Sequence, residues 1–152
     1  MEYATLGDSG IEVSKLCVGC MSFGKASEDF HKWTLNPKET EGVVKKALDL
    51  GINFFDTANC YSHGTSEEYL GQALKNNIAR DKVVIGTKVY FNEGNLSKEA
   101  INREIDGSLK RLGNCKDVLA KCVDASVTWG AGKRLSASCS VNELADWVKG
   151  LE

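Results

Sequence analysis

An α/β fold with parallel strands, entered through an N-terminal β-hairpin, is what this sequence predicts. Three observations predict it. Short runs of β-branched and aromatic residues alternate with helical apolar stripes in the order β-α-β-α-β-α, which calls for parallel strands joined by right-handed crossovers. Each helical stretch carries its own start residues, and glycines stop the first and third. The length, 152 residues with 42% hydrophobic and 26% charged, suits one ordinary domain with a sizeable core.

Residues 3–13 read as the hairpin: Tyr3 to Leu6, a turn at Gly7-Asp8-Ser9-Gly10, then Ile11-Glu12-Val13 in apolar-polar alternation. Leu16 to Gly19 is a short buried strand. The loop of about residues 20–36 holds Met21, Phe23, His31 and Trp33, and loops this long in compact domains are usually functional. Asn36 caps the first helix, Pro37 fits its first position, and Val43, Val44, Ala47, Leu48 and Leu50 form its stripe before Gly51 stops it. Ile52 to Phe55 is the next strand, closed by Asp56. After a loop over 57–65, Ser66-Glu67-Glu68 opens a second helix with Tyr69, Leu70, Ala73 and Leu74 inward. Val83 to Thr87 is a third strand, ending at Lys88. Ser97 caps a third helix whose face is Ile101, Ile105, Leu109 and Leu112, and Gly113 ends it.

Beyond Gly113 the character changes, which divides the chain into 1–113 and a tail, 114–152. The tail holds three of the six cysteines and no Tyr, Phe, His or Pro. Val118-Leu119-Ala120 reads as a fourth strand and Val141 to Leu151 as an amphipathic helix, with small polar residues between.

Composition excludes several roles. Nineteen basic against twenty-one acidic residues give a net charge of −2, so nothing favours binding nucleic acid. No window approaches the ~20 apolar residues of a membrane span. The start, Met1-Glu2-Tyr3-Ala4-Thr5, has neither the basic residues nor the apolar stretch of a secretory signal. A cytoplasmic protein with reduced thiols is therefore expected. Cys17-Val18-Gly19-Cys20 is formally a C-x-x-C, but it lies along a strand, where residues three apart face opposite ways, and lacks a second pair for zinc. No metal site is expected.

Three residues stand out by position. Asp56 follows the second inner strand, Tyr61 lies five residues on, and Lys88 follows the third strand. The spacing of Asp56 and Lys88 is one strand-helix-strand unit, so both fall at carboxyl ends of neighbouring parallel strands, where α/β folds place active sites. A lysine beside a tyrosine hydroxyl favours the phenolate, and an aspartate beside the lysine keeps it charged and oriented. A strand-ending lysine is also commonly a solvated flank, and an aspartate there a turn residue. Spacing alone leaves both readings open.

The wider pattern adds to this. Leu6-Gly7-Asp8-Ser9-Gly10-Ile11-Glu12-Val13-Ser14 and Val18-Gly19-Cys20-Met21-Ser22-Phe23-Gly24 are followed by Gly51-Ile52-Asn53-Phe54-Phe55-Asp56-Thr57-Ala58 with Tyr61. Ser66-Glu67-Glu68-Tyr69-Leu70-Gly71, Thr87-Lys88 and Ser108-Leu109-Lys110-Arg111-Leu112-Gly113 complete the set. Over residues 3–113 the sequence thereby resembles the aldo-keto reductase family, in its branch of aryl-alcohol dehydrogenases and potassium-channel β subunits. The resemblance implies a (β/α)₈ TIM barrel, NADPH as cofactor and a small carbonyl substrate. It implies Tyr61 as the general acid, Lys88 easing proton release from it, and Asp56 paired with Lys88. Gly19, Cys20 and Met21 would line the nicotinamide side of the pocket, with Asp56 also touching the cofactor.

Three features depart from the family. A closed barrel takes about 250 residues, and about 200 at the least, so this chain matches only the N-terminal portion, a hairpin and about three β/α units. The family's fourth catalytic residue, a histidine, falls at about Val123, and no histidine follows His63. The loops that grip the NADPH phosphates have no counterpart either. His63, in an exposed Ser-His-Gly turn, reads as solvated rather than as a substitute. Three readings follow: a truncated NADPH-dependent carbonyl reductase; a non-catalytic half-barrel, unstable alone or binding a partner or a second copy through its unclosed edges; or a complete small doubly wound domain with its own ligand, which leaves the family motifs unexplained.

Overall fold

The computed structural model describes residues 1–113. Expectations for residues 114–152, including the strand at 118–120, the helix at 141–151 and the position of Val123, lie outside the described residues. The hairpin forms as β1 (Tyr3–Thr5) and β2 (Glu12–Ser14), antiparallel with Ala4 opposite Val13. Asn53 clamps it: its Oδ1 accepts from the Ser14 amide at 2.7 Å and its Nδ2 donates to the Glu12 carbonyl at 3.2 Å. The hairpin thus sits at the amino-terminal end of the next strand in the sheet, leaving the carboxyl ends free.

That sheet is parallel, in the order β3 (Val18–Gly19), β4 (Phe54–Asp56), β5 (Val84–Gly86). Each strand is followed by a helix: α1 (Pro37–Asp49), α2 (Thr65–Asn77) and α3 (Lys98–Arg111). The strands are shorter than the sequence suggests, and Leu16 is exposed rather than buried in β3. Asn36 builds a full capping box, accepting from the Lys38 and Glu39 amides while Glu39 accepts from the Asn36 amide at 2.9 Å. Gly51, at φ +82°, turns the chain out of α1 in a left-handed conformation that glycine adopts without strain.

Register sorts the sheet into two faces. Val18, Phe55 and Ile85 lie side by side, and this row packs with Val44, Ala47, Leu70, Ala73 and Leu74 of the helices into one core. Full burial of Phe55 alone contributes about 1.5–3 kcal/mol. The neighbouring row, Gly19, Asp56 and Gly86, points the other way. Two helices bury different residues from those their stripes suggest. In α1 the buried line is Thr40, Val44 and Ala47, whereas Val43 and Leu50 are exposed. In α3 Glu104 and Ser108 are buried beside Ile101, while Ile105 and Leu109 are only partly covered. Hydrogen bonds draw Glu104 inward: Asn59 donates to its carboxylate at 2.8 Å and Asn92 at 2.7 Å. Among the described residues no helix is long and apolar enough to cross a membrane.

Candidate active site

Asp56 ends β4 and Lys88 stands two residues past β5, so strand alternation puts both on the face away from the helices. Backbone pairing continues beyond the strands, with the Thr57 amide donating to the Gly86 carbonyl at 2.8 Å and the Asn59 amide to the Lys88 carbonyl at 3.0 Å. This extension fixes where the Lys88 side chain starts. Its ammonium donates to Asp56 Oδ2 at 2.7 Å and to the Thr57 carbonyl at 2.6 Å. The same Nζ lies over the Tyr61 ring, 5.2 Å from its centroid, within the range of a cation–π contact. The three sequence-selected residues are therefore together. The lysine meets the tyrosine across the ring face, and among the described residues the phenol oxygen makes no hydrogen bond.

Tyr61 opens a 3₁₀ turn, Tyr61–Gly64, where the sequence suggests only a loop. Ser62 and His63 are left-handed there, at φ 47° and 56°, a conformation non-glycine residues adopt only when surroundings hold them. The restraints are visible. Ser62 Oγ donates to the Phe23 carbonyl at 3.2 Å, and Thr65 Oγ1 donates to the Ser62 carbonyl at 2.7 Å. His63 points toward the long loop, 3.1 Å from Asp29 and edge-on to Phe30.

Of the residues assigned to the nicotinamide side, Gly19 pairs directly with Asp56 and Met21 is exposed. Cys20 is turned away: its side chain is wholly buried in the core, its amide is bonded to the Asp56 carbonyl, and its thiol donates to the Val18 carbonyl. A Cβ built at Gly19 meets nothing within 4 Å among the described residues, so the strand leaves open space at the position paired with Asp56. The C-x-x-C pair is split as its strand position requires, with Cys17 at the surface and Cys20 inside. Partial desolvation, then the Asp56 carboxylate, push the Cys17 thiol up to about 11 against the opposing pull of Lys88. Burial likewise pushes Cys20 and Cys60 up. All three stay protonated at neutral pH, unlike the thiolates of redox sites.

The sequence reading missed a buried group behind these residues. Glu67, with a side chain 0% exposed, accepts from Thr87 Oγ1 and from Arg111 Nε, each at 2.6 Å. Beside it Ser66 Oγ donates to the Cys20 carbonyl at 2.7 Å and lies 3.1 Å from Thr57 Oγ1. The available signal was Glu67's place on the helical stripe of Leu70 and Leu74, where an acid has no reason to face inward unless partnered.

Residues 15–128 match the model of the Aldo/keto reductase family. The chain belongs to the aldo/keto reductase family. It is 46% identical over 133 residues to versiconal hemiacetal acetate reductase of Aspergillus parasiticus, an alignment covering 84% of this chain and 38% of that protein. A Schizosaccharomyces pombe relative described as an aryl-alcohol dehydrogenase is 38% identical, over 77% of this chain and 41% of its own. An Oryza sativa subsp. japonica relative described as a voltage-gated potassium channel β subunit is 37% identical, over 74% of this chain and 34% of its own. Among solved structures, the holo form of an aldo-keto reductase from Bacillus halodurans superposes with a TM-score of 0.60 at 32% identity, over 75% of this chain and 37% of that one. The chain thus spans about two fifths of the length of these aldo/keto reductases. Its hairpin and three β/α units are the matching portion of a (β/α)₈ barrel.

Proposed function

We propose that Asp56, Tyr61 and Lys88 are the proton-donating part of an NADPH-dependent reductase of aldehydes and ketones. The observation that carries this reading is the Lys88 ammonium, held at 2.7 Å by Asp56 at the ends of adjacent parallel strands and set over the Tyr61 ring. In this reading Tyr61 gives its phenolic proton to the substrate's carbonyl oxygen, which becomes the alcohol. Lys88 stabilises the phenolate left behind, and Asp56 with the Thr57 carbonyl keeps the ammonium in place. NADPH, when bound, supplies the hydride to the carbonyl carbon. Gly19 would support its nicotinamide end by leaving space beside Asp56, with the exposed Met21 two residues along the chain. The names of these two relatives, one a hemiacetal acetate reductase and the other described as an aryl-alcohol dehydrogenase, favour oxygenated substrates, aromatic ones among them.

Hydride transfer demands near-contact geometry, reacting atoms about 3–3.5 Å apart, and a misplacement of about 1 Å costs on the order of 100-fold. A cofactor fixed at one end only will not meet that demand. The purified 152-residue chain is therefore expected to show neither saturable NADPH fluorescence nor turnover of aromatic aldehydes. Residues 1–113 joined to the remaining barrel of the Aspergillus relative are expected to show both. A folded, NADPH-binding chimera that reduces no aldehyde or ketone contradicts the proposal. A second reading, a non-catalytic half-barrel that self-associates, is favoured by β3 and β5 each having only β4 as a strand neighbour among the described residues. Sedimentation as a concentration-independent monomer would remove it.

A further inference from the structure

We infer that Glu67 is a positioning residue that sets Tyr61 and Lys88 against each other, an inference that rests on the proposed role of that pair. A carboxylate taken fully out of water is costly unless every lone pair that matters is matched. Glu67 meets the condition with two partners, and each leads to one half of the site. Thr87, which donates to Oε1, immediately precedes Lys88, so this bond pins the chain from which the ammonium extends. Arg111, which donates to Oε2, presses its aliphatic stem on Gly64, where an added Cβ would stand 2.8 Å from Arg111 Cδ. Gly64 closes the turn that Tyr61 opens. One carboxylate therefore restrains the lysine's strand end through Oε1 and the far end of the tyrosine's turn through Oε2.

Ser66 completes the arrangement. Through Ser66 and Glu67 the first turn of α2 reaches Cys20, Thr57 and Thr87, the residue immediately following each of the three parallel strands. Thr57 is the neighbour of Asp56 and lends its carbonyl to Lys88. A helix start that served only its own dipole would keep its acids in solvent, as Glu68 does. Glu67 is instead spent inside, with no oxygen aimed at the open face of the sheet.

The test uses NMR of the 152-residue chain, because a Lys88 held over an aromatic ring has ε-methylene protons displaced upfield by the ring current. In the unmodified chain this displacement is expected, and Tyr61→Leu is expected to abolish it. Its absence from the unmodified chain would defeat the reading of the site and this inference with it. With the displacement present, Thr87→Val and Glu67→Gln are expected to lose it, while the Val44 and Ile85 methyl signals keep their core positions. Thr87→Ser, which restores the hydroxyl, is expected to retain it. A displacement that survives Thr87→Val and Glu67→Gln would overturn the inference and leave the reading of Tyr61 and Lys88 intact. Loss of the core signals along with it would also overturn the inference, as the mark of a wholly structural role.

Discussion

Lys88 shows how much of a site can rest on one side chain: two hydrogen bonds and a ring contact account for its position, and each partner comes from the loop after β4 or its last residue. Glu104 plays the comparable part on the far side of that loop. Burial pushes its carboxyl up, but hydrogen bonds from Asn59 and Asn92 and the Arg103 guanidinium outweigh this and hold it below the ordinary glutamate range. A carboxyl depressed in the folded chain stabilises it at pH above the unfolded-state value, and that stabilisation is lost as pH falls through the folded-state value. Replacing Glu104 by Gln is therefore expected to flatten the loss of stability below about pH 4, read as the urea midpoint against pH. An acid limb identical to that of the unmodified chain would contradict the account.

At the scale of elements, two helix glycines separate packing from propensity. A Cβ at Gly71 in α2 would lie 2.7 Å from the Leu112 backbone, so α2 and α3 approach only because it is absent. At Gly42 in α1 nothing lies within 4 Å of the added Cβ, and the residue is exposed. Gly71→Ala is expected to destabilise by about 1–3 kcal/mol through overpacking, and Gly42→Ala to stabilise by about 0.5–1 kcal/mol through helix propensity. Thermal midpoints moving in the same direction would refute the assignment. These helices also mark what the sequence discloses. Asn36, Ser97, Gly51 and Gly113 announce their boundaries because capping is chemistry local to a few residues. Which face each helix buries was less legible. Glu104 and Glu67 face inward because of partners tens of residues away, which no periodicity encodes. The left-handed pair Ser62 and His63 was invisible for the same reason, since Phe23, 39 residues away, helps to hold that turn.

For the whole molecule, parallel strand order places Asp56 and Lys88 together almost without further information, and this is why the site was readable from spacing and resemblance. Tyr61 needed the turn. The relatives extend well beyond the portion matched here, and the sheet of the described residues presents its Asp56 face to the side where a barrel would close. In the proposed function, proton donation falls to this portion of the barrel and cofactor retention to the barrel as a whole. Steady-state reduction of an aromatic aldehyde by the completed barrel, with Tyr61 against Tyr61→Phe, tests that division most directly. General acid catalysis is worth about 100- to 10,000-fold, and a loss of kcat in that range with NADPH affinity unchanged is the predicted result. A kcat within a few-fold of the unmodified protein would contradict it, because the proton would then come from elsewhere.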